Sequence, residues 1–250
     1  MKVLVRLRTF AYVAYAVGSF FAGYLIAWIL FEGVMLLCAV FGVVVALIAL
    51  TLKREERGRF DFSKALRFLD FRKKEKTFRK FLILFCIMGV SMGLVGGFVF
   101  TWYLDASGFS LETIGLVLGA QILAAGLFSH LFSKTERTRQ TILVAGILFA
   151  VTFLVLGFAA PFLGAALLAF YGAVQGIASI GQEAITSRIS DKRSYGTDIG
   201  LLWTGFHIAE SFSLAITGIM ISQWGFTVPF VVAALTCLTY AVGSYLSFKD

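Results

Sequence analysis

The sequence predicts an all-α, polytopic membrane bundle of about eight transmembrane helices, and three observations predict it. Of its 250 residues, 59% are hydrophobic and only 14% charged, with a mean hydropathy of +0.90. That composition leaves no room for a soluble domain of ordinary make-up. Apolar runs of about 20 residues, the length that crosses roughly 30 Å of hydrocarbon as a helix, recur between short polar breaks. All 22 Lys and Arg residues fall on one side if eight such runs cross a membrane in alternation.

The first span is expected over residues 10–30, behind Lys2, Arg6 and Arg8. No small-residue cleavage pattern follows it, so it reads as a retained span and not as a cleaved signal. Glu32 separates it from a second span over 33–52. A stretch with twelve basic and five acidic residues then runs to Lys80. Within it Phe62, Ala65, Leu66 and Leu69 recur at helical spacing among Lys64, Arg67, Arg72, Lys73 and Lys74, a pattern that suits an interfacial helix; a solvated charged linker is the alternative. Six further spans are expected over 81–104, 111–132, 141–160, 162–187, 198–223 and 228–248. The domain organisation is therefore two transmembrane helices over 1–52, a basic linker over 53–80 and a six-helix unit over 81–250.

Lys and Arg beside a span resist translocation, so the basic loops are read as cytoplasmic. Lys134, Arg137 and Arg139 follow the fourth span, Arg188, Lys192 and Arg193 follow the sixth, and Lys249 follows the eighth. The opposite loops carry Glu32, Asp105, Glu112, Pro161 and residues 225–227, without Lys or Arg. Both termini then lie in the cytoplasm, and a cell membrane is the expected location. The net charge of +8 reads as topology and as attraction to anionic lipid, not as nucleic-acid binding. Cys38, Cys86 and Cys237 fall within apolar runs, which argues against structural disulfides.

Small residues spaced four apart mark where membrane helices approach closely. Gly89, Gly93 and Gly97 form such a stripe on the third span, Gly115 and Gly119 on the fourth, and Gly172 and Gly176 on the sixth. Trp102 and Tyr103 are expected to anchor the outer end of the third span at the interface.

Residues 195–248 carry Gly196, Thr197, Gly200, Gly205, Gly218, Gly225, Pro229 and Phe230: a Gly-Thr start after a basic loop, a small-residue helix, an aromatic-Gly turn and a Pro-Phe start to the last span. This segment resembles the last two spans of the major facilitator superfamily of transporters. The stretch QEAITSRISDKRSYG before it, and residues 110–139 with their basic turn, are similar to their counterparts there. On this resemblance the last six spans look like that superfamily's seventh to twelfth and the first two like its fifth and sixth. The linker would then join the two halves of a transporter lacking its first four spans. The turn SKTERTR keeps the basic residues of the superfamily's loop but lacks its Gly and Asp.

Polar side chains far from span ends are the candidates for chemistry, because desolvating them is costly unless they meet a partner or an aqueous cavity. Glu210 sits near the middle of its span with His207 one turn before it. The pair can share a proton and is a candidate for proton coupling, or it can serve as packing glue between helices. Gln175, Ser179, Gln182 and Thr186 share one helical face of the sixth span. The counterpart of that span in the superfamily lines the central cavity, which makes Gln175, Ser179 and Gln182 substrate-cavity candidates. Gln121, on the fourth span, is another. Glu183 and Arg188 are candidates for a cytoplasmic gate or a structural contact.

No Walker-type glycine loop is present to bind ATP. His130, His207 and the three cysteines show no metal-ligand spacing, and no cofactor is expected. GIASIG around Ser179 lacks the glycine two residues before the serine that an intramembrane serine protease would carry. The expected function, for a chain that is not an enzyme, is secondary transport of a small solute by alternating access, with proton coupling through Glu210 and His207. The alternative is a truncated or split-gene membrane subunit that transports nothing until a second polypeptide or protomer supplies further helices. Expected partners are a small-molecule solute and membrane lipid.

Overall fold

The computed structural model describes residues 2–51, 74–133, 138–191 and 194–248, which are almost entirely α-helical, with no strand among them. The expected interfacial helix around Phe62 and Leu69 lies outside the described residues, as do Lys134, Arg137, Lys192, Arg193 and Lys249. The helices are α1 (Lys2–Thr51), α2 (Lys76–Val95), α3 (Gly97–Ala106), α4 (Leu111–Phe132), α5 (Thr138–Leu156), α6 (Pro161–Ile189), α7 (Tyr195–Trp224) and α8 (Thr227–Ser247). Among the described residues, seven helical stretches are long and apolar enough to cross a membrane. The first of them, Ala11–Ile48, is 38 residues long, more than the roughly 20 that one crossing needs. It breaks at Leu30, whose φ of 62° and ψ of 169° leave the helical region. The break falls where the sequence places the boundary between its first two spans.

Two departures from the expected spans are the largest. Helix α2 begins at Lys76, within the expected linker, because its first turns are amphipathic: Phe78 and Phe81 are buried while Lys76, Arg79 and Lys80 stay exposed. The expected third span is also broken, at Gly96, which takes an extended conformation (φ −62°, ψ −179°) between α2 and α3. Gly97 therefore leaves the expected stripe, and its α-carbon faces open space. The turns at the other end of the bundle use glycine where an L side chain would be strained: Gly108 (φ 83°) precedes α4 and Gly225 (φ 70°) precedes α8. Ser110 caps α4, its hydroxyl accepting from the Thr113 amide.

The helices pack as a sequence of neighbours: α1 on α4, α4 on α6, α6 on α5, α5 on α8, α8 on α2 and α2 on α7. Small residues make several of these contacts. A methyl on Gly172 would overlap the Gln121 carbonyl of α4, and one on Gly176 the Ala125 carbonyl. Gly115 meets Ser19 and Gly119 meets Phe20 across the α1–α4 contact. Aromatic side chains fill the centre, with Phe81, Phe85, Phe100, Phe149, Phe153 and Phe230 almost fully buried. Tyr103 is not the interfacial anchor expected of it: it is buried against Phe226 and Phe230, with ring centroids 5.5 Å away in both cases. The turn into α8 folds these aromatic rings over it. In contrast, residues 35–48 of α1 are exposed throughout.

Candidate functional site: a polar face on α7 and a charge cluster at its start

Helix α7 carries both polar constellations. Near its midpoint, Nδ1 of His207 lies 2.7 Å from Oε2 of Glu210. One helical turn separates the two residues, so the backbone itself sets the pairing. The ring of Trp203 stacks on His207 with centroids 5.6 Å apart and planes 25° apart, and Phe206 meets the imidazole edge-on at 5.2 Å. Trp203 is itself held edge-on by Phe85 of α2. The aromatic packing thus orients the imidazole toward the carboxylate.

The pair is open on one side: His207 is 61% exposed and Glu210 34%. Ile208 and Phe212 extend the same open region of α7. The other side of the helix is tightly seated. A methyl on Gly93 of α2 would overlap both the Glu210 carbonyl and the Ser213 hydroxyl, and Thr217 donates to the Gly93 carbonyl at 3.4 Å. Buried Tyr171 of α6 lies within electrostatic range of Glu210, and its hydroxyl donates to the Met92 sulfur at 3.3 Å. Chemically, the pair holds its hydrogen bond with either one or two protons. With one proton it is a carboxylate beside neutral imidazole and carries a net negative charge; with two it is a neutral ion pair.

The remaining expected site residues are distributed around α4 and α6. Gln121 and Gln175 are half-buried, and the Gln121 backbone forms the α4 side of the Gly172 contact. Ser179 is buried and donates to the Gly176 carbonyl at 2.8 Å, so its proton is engaged within its own helix. Gln182 is half-buried. Glu183 and Arg188 are both exposed. Their separation of five residues turns them about 140° apart on the helix, on different faces.

The second constellation has no counterpart in the sequence reading. Asp198, in the first turn of α7, is 1% exposed. Its Oδ1 lies 2.5 Å from Nζ of Lys74, which is 15% exposed. Ser194 donates to the same oxygen at 3.2 Å and accepts from Lys74 at 3.3 Å. The Asp191 amide donates to Oδ2 at 2.9 Å. The positive end of the helix dipole adds to the stabilisation of the carboxylate. This cluster ties the segment just before α2 to the start of α7, and ties Asp191, just after α6, to the same carboxylate. Lys74 and Asp198 are 124 residues apart, so no local pattern announces their meeting. The one available signal was an acidic residue in the first turn of a span that follows a basic loop.

No group of three or more His, Cys, Asp or Glu residues that could hold a metal ion occurs among the described residues. Gly93→Leu is expected to force α2 and α7 apart and to lower stability by about 1–3 kcal/mol, read as a lower thermal midpoint in detergent. An unchanged midpoint would mean that the two helices do not meet at Gly93.

Compared with known proteins, residues 1–146 and 81–250 match the family model described as Major Facilitator Superfamily. No curated protein matches the sequence.

Proposed function

The chain belongs to the Major Facilitator Superfamily, and from that premise we propose that it moves a small solute across the membrane by alternating access, with proton coupling through His207 and Glu210. Membership makes it a multi-pass membrane transporter of solutes. The coupling rests on one observation: a hydrogen-bonded carboxylate–imidazole pair stands near the middle of a membrane-spanning helix, on an open face. Hydrocarbon does not solvate such a pair, so the open face calls for an aqueous cavity or a protein partner. With one proton, the net charge requires water. With two, the pair is neutral and tolerates a closed, drier cavity. Protonation thereby favours one access state over the other, which is the differential interaction that coupling requires.

In this reading the half-buried Gln121, Gln175 and Gln182 offer amide donors and acceptors to an uncharged or amphiphilic solute, and Ser179 shapes the wall. Glu183 and Arg188 act at the cytoplasmic end, where the basic loops place both termini, with residues 10–30 and 33–52 as separate crossings for a total of eight. The test is solute uptake into proteoliposomes containing the purified chain, with and without an imposed pH gradient, over a panel of sugars and cationic amphiphiles. Uptake that responds to the gradient for a member of the panel is the expected result; uptake indifferent to it removes the coupling.

Exposure of residues 35–48 favours a second reading, in which helices from another polypeptide or protomer must cover this surface before transport occurs. Flux that appears only on co-reconstitution with such a partner would select it. Trp203→Leu is expected to release the imidazole and shift the pH profile of uptake, whereas Trp203→Phe, which keeps an aromatic ring, restores it. A profile indifferent to both variants would deny Trp203 a positioning role.

A further inference from the structure

A basic cleft runs along the first turns of α2. Lys76, Arg79, Lys80 and Ile83 follow one another at intervals of three, one and three residues, which places them along one side of the helix. All four are exposed. The other side of α2 is buried through Phe78, Phe81 and Phe85. The three cations and Ile83, together with Leu82, line a cleft of about 600 Å³. Leu82 reaches toward α7, its Cδ1 3.0 Å from where a methyl on Gly205 would sit. Glu75 stands exposed just ahead of the helix, and no acidic partner for Lys76, Arg79 or Lys80 occurs among the described residues.

We infer that this cleft binds an anionic phospholipid, with the headgroup phosphate on Lys76, Arg79 and Lys80 and an acyl chain along Ile83 and Leu82. The charge and the geometry both select this ligand. Three neighbouring cations repel one another until an anion joins them, and the guanidinium of Arg79 pairs with phosphate oxygens in a bidentate fork. Along the helix the cations end at Lys80 and a run of apolar residues begins at Phe81, so the charged part sits at headgroup depth and the aliphatic part at the start of the hydrocarbon. A free phosphate would leave the aliphatic part empty, and a zwitterionic lipid would leave the charge unbalanced. The assignment is independent of the transport reading.

Native mass spectrometry of the full chain, released from micelles containing equal amounts of phosphatidylglycerol and phosphatidylcholine, tests it. Wild type is expected to retain phosphatidylglycerol in preference. The triple variant Lys76→Gln, Arg79→Gln, Lys80→Gln is expected to lose that retention by on the order of 100-fold. Lys53→Gln, Arg54→Gln, Arg57→Gln, which removes the same charge from the linker, is expected to keep it. Equal loss in both variants, equal retention of phosphatidylcholine, or displacement of the lipid by inorganic phosphate would each overturn the site. Arg79→Gln alone, an exposed single change, is expected to lower retention about fivefold. No change in that variant would also overturn it, whether or not the triple variant folds.

Discussion

Glu210→Gln is expected to leave the protein folded and to uncouple it from the proton gradient. The amide keeps the volume of the carboxyl group and a hydrogen bond to His207 Nδ1, so the seating of α7 on α2 at Gly93 is undisturbed. What disappears is the carboxylate that balances a second proton on His207, so the pair no longer alternates between net negative and neutral. For one proton per solute, each pH unit across the membrane supplies about 1.4 kcal/mol. The accumulation ratio of a coupled carrier therefore changes about tenfold per unit, and that of the variant stays near one. Solute accumulation at a series of imposed pH differences checks this, and a Glu210→Gln protein that still follows the gradient would place coupling elsewhere.

Asp198→Ala is expected to produce the largest loss of stability of any single change considered. The carboxylate is 1% exposed and receives Lys74, Ser194 and the Asp191 amide. Removing it takes from the mostly buried ammonium group the carboxylate that it meets at 2.5 Å and from the Asp191 amide the acceptor at 2.9 Å. Breaking one side of a buried ion pair in this way costs about 3–5 kcal/mol, whereas replacing both sides with apolar residues of similar volume is often nearly neutral. The double variant Lys74→Met, Asp198→Leu should accordingly recover most of the loss, read from thermal midpoints of the two variants against wild type. A midpoint unmoved by Asp198→Ala would show that the cluster carries no load.

The parts of this architecture that were legible in the sequence share one property: both partners lie within a few residues of each other. His207 and Glu210 meet because one turn of helix brings them together. The pairs Gly172–Gly176 and Gly115–Gly119 sit where a side chain would collide with α4 or α1, and their four-residue spacing announced a contact face, though not the partner helix. Other features depend on what lies across the bundle. Tyr103 reads as an amphipathic residue at the end of a span, yet the turn before α8 lays Phe226 and Phe230 over it. Lys74 reads as one cation among many in the basic stretch, and its engagement with Asp198 depends on the packing of α2 against α7. The break at Gly96 is a local event, but hydropathy does not register it, because Gly96 and Gly97 leave the apolar run uninterrupted.

Proton coupling at His207 and Glu210 requires that the open face of α7 be a water-filled cavity and not a lipid-facing surface. The direct measurement is labelling by a membrane-impermeant maleimide of His207→Cys and Ile208→Cys in proteoliposomes, on a background with Cys38, Cys86 and Cys237 replaced. Leu235→Cys, on an exposed part of α8, serves as the lipid-facing comparison. A water-filled cavity gives labelling at His207→Cys, diminished by a transported solute, and none at Leu235→Cys. A His207→Cys protein that resists the reagent as fully as Leu235→Cys, while folded, would contradict it.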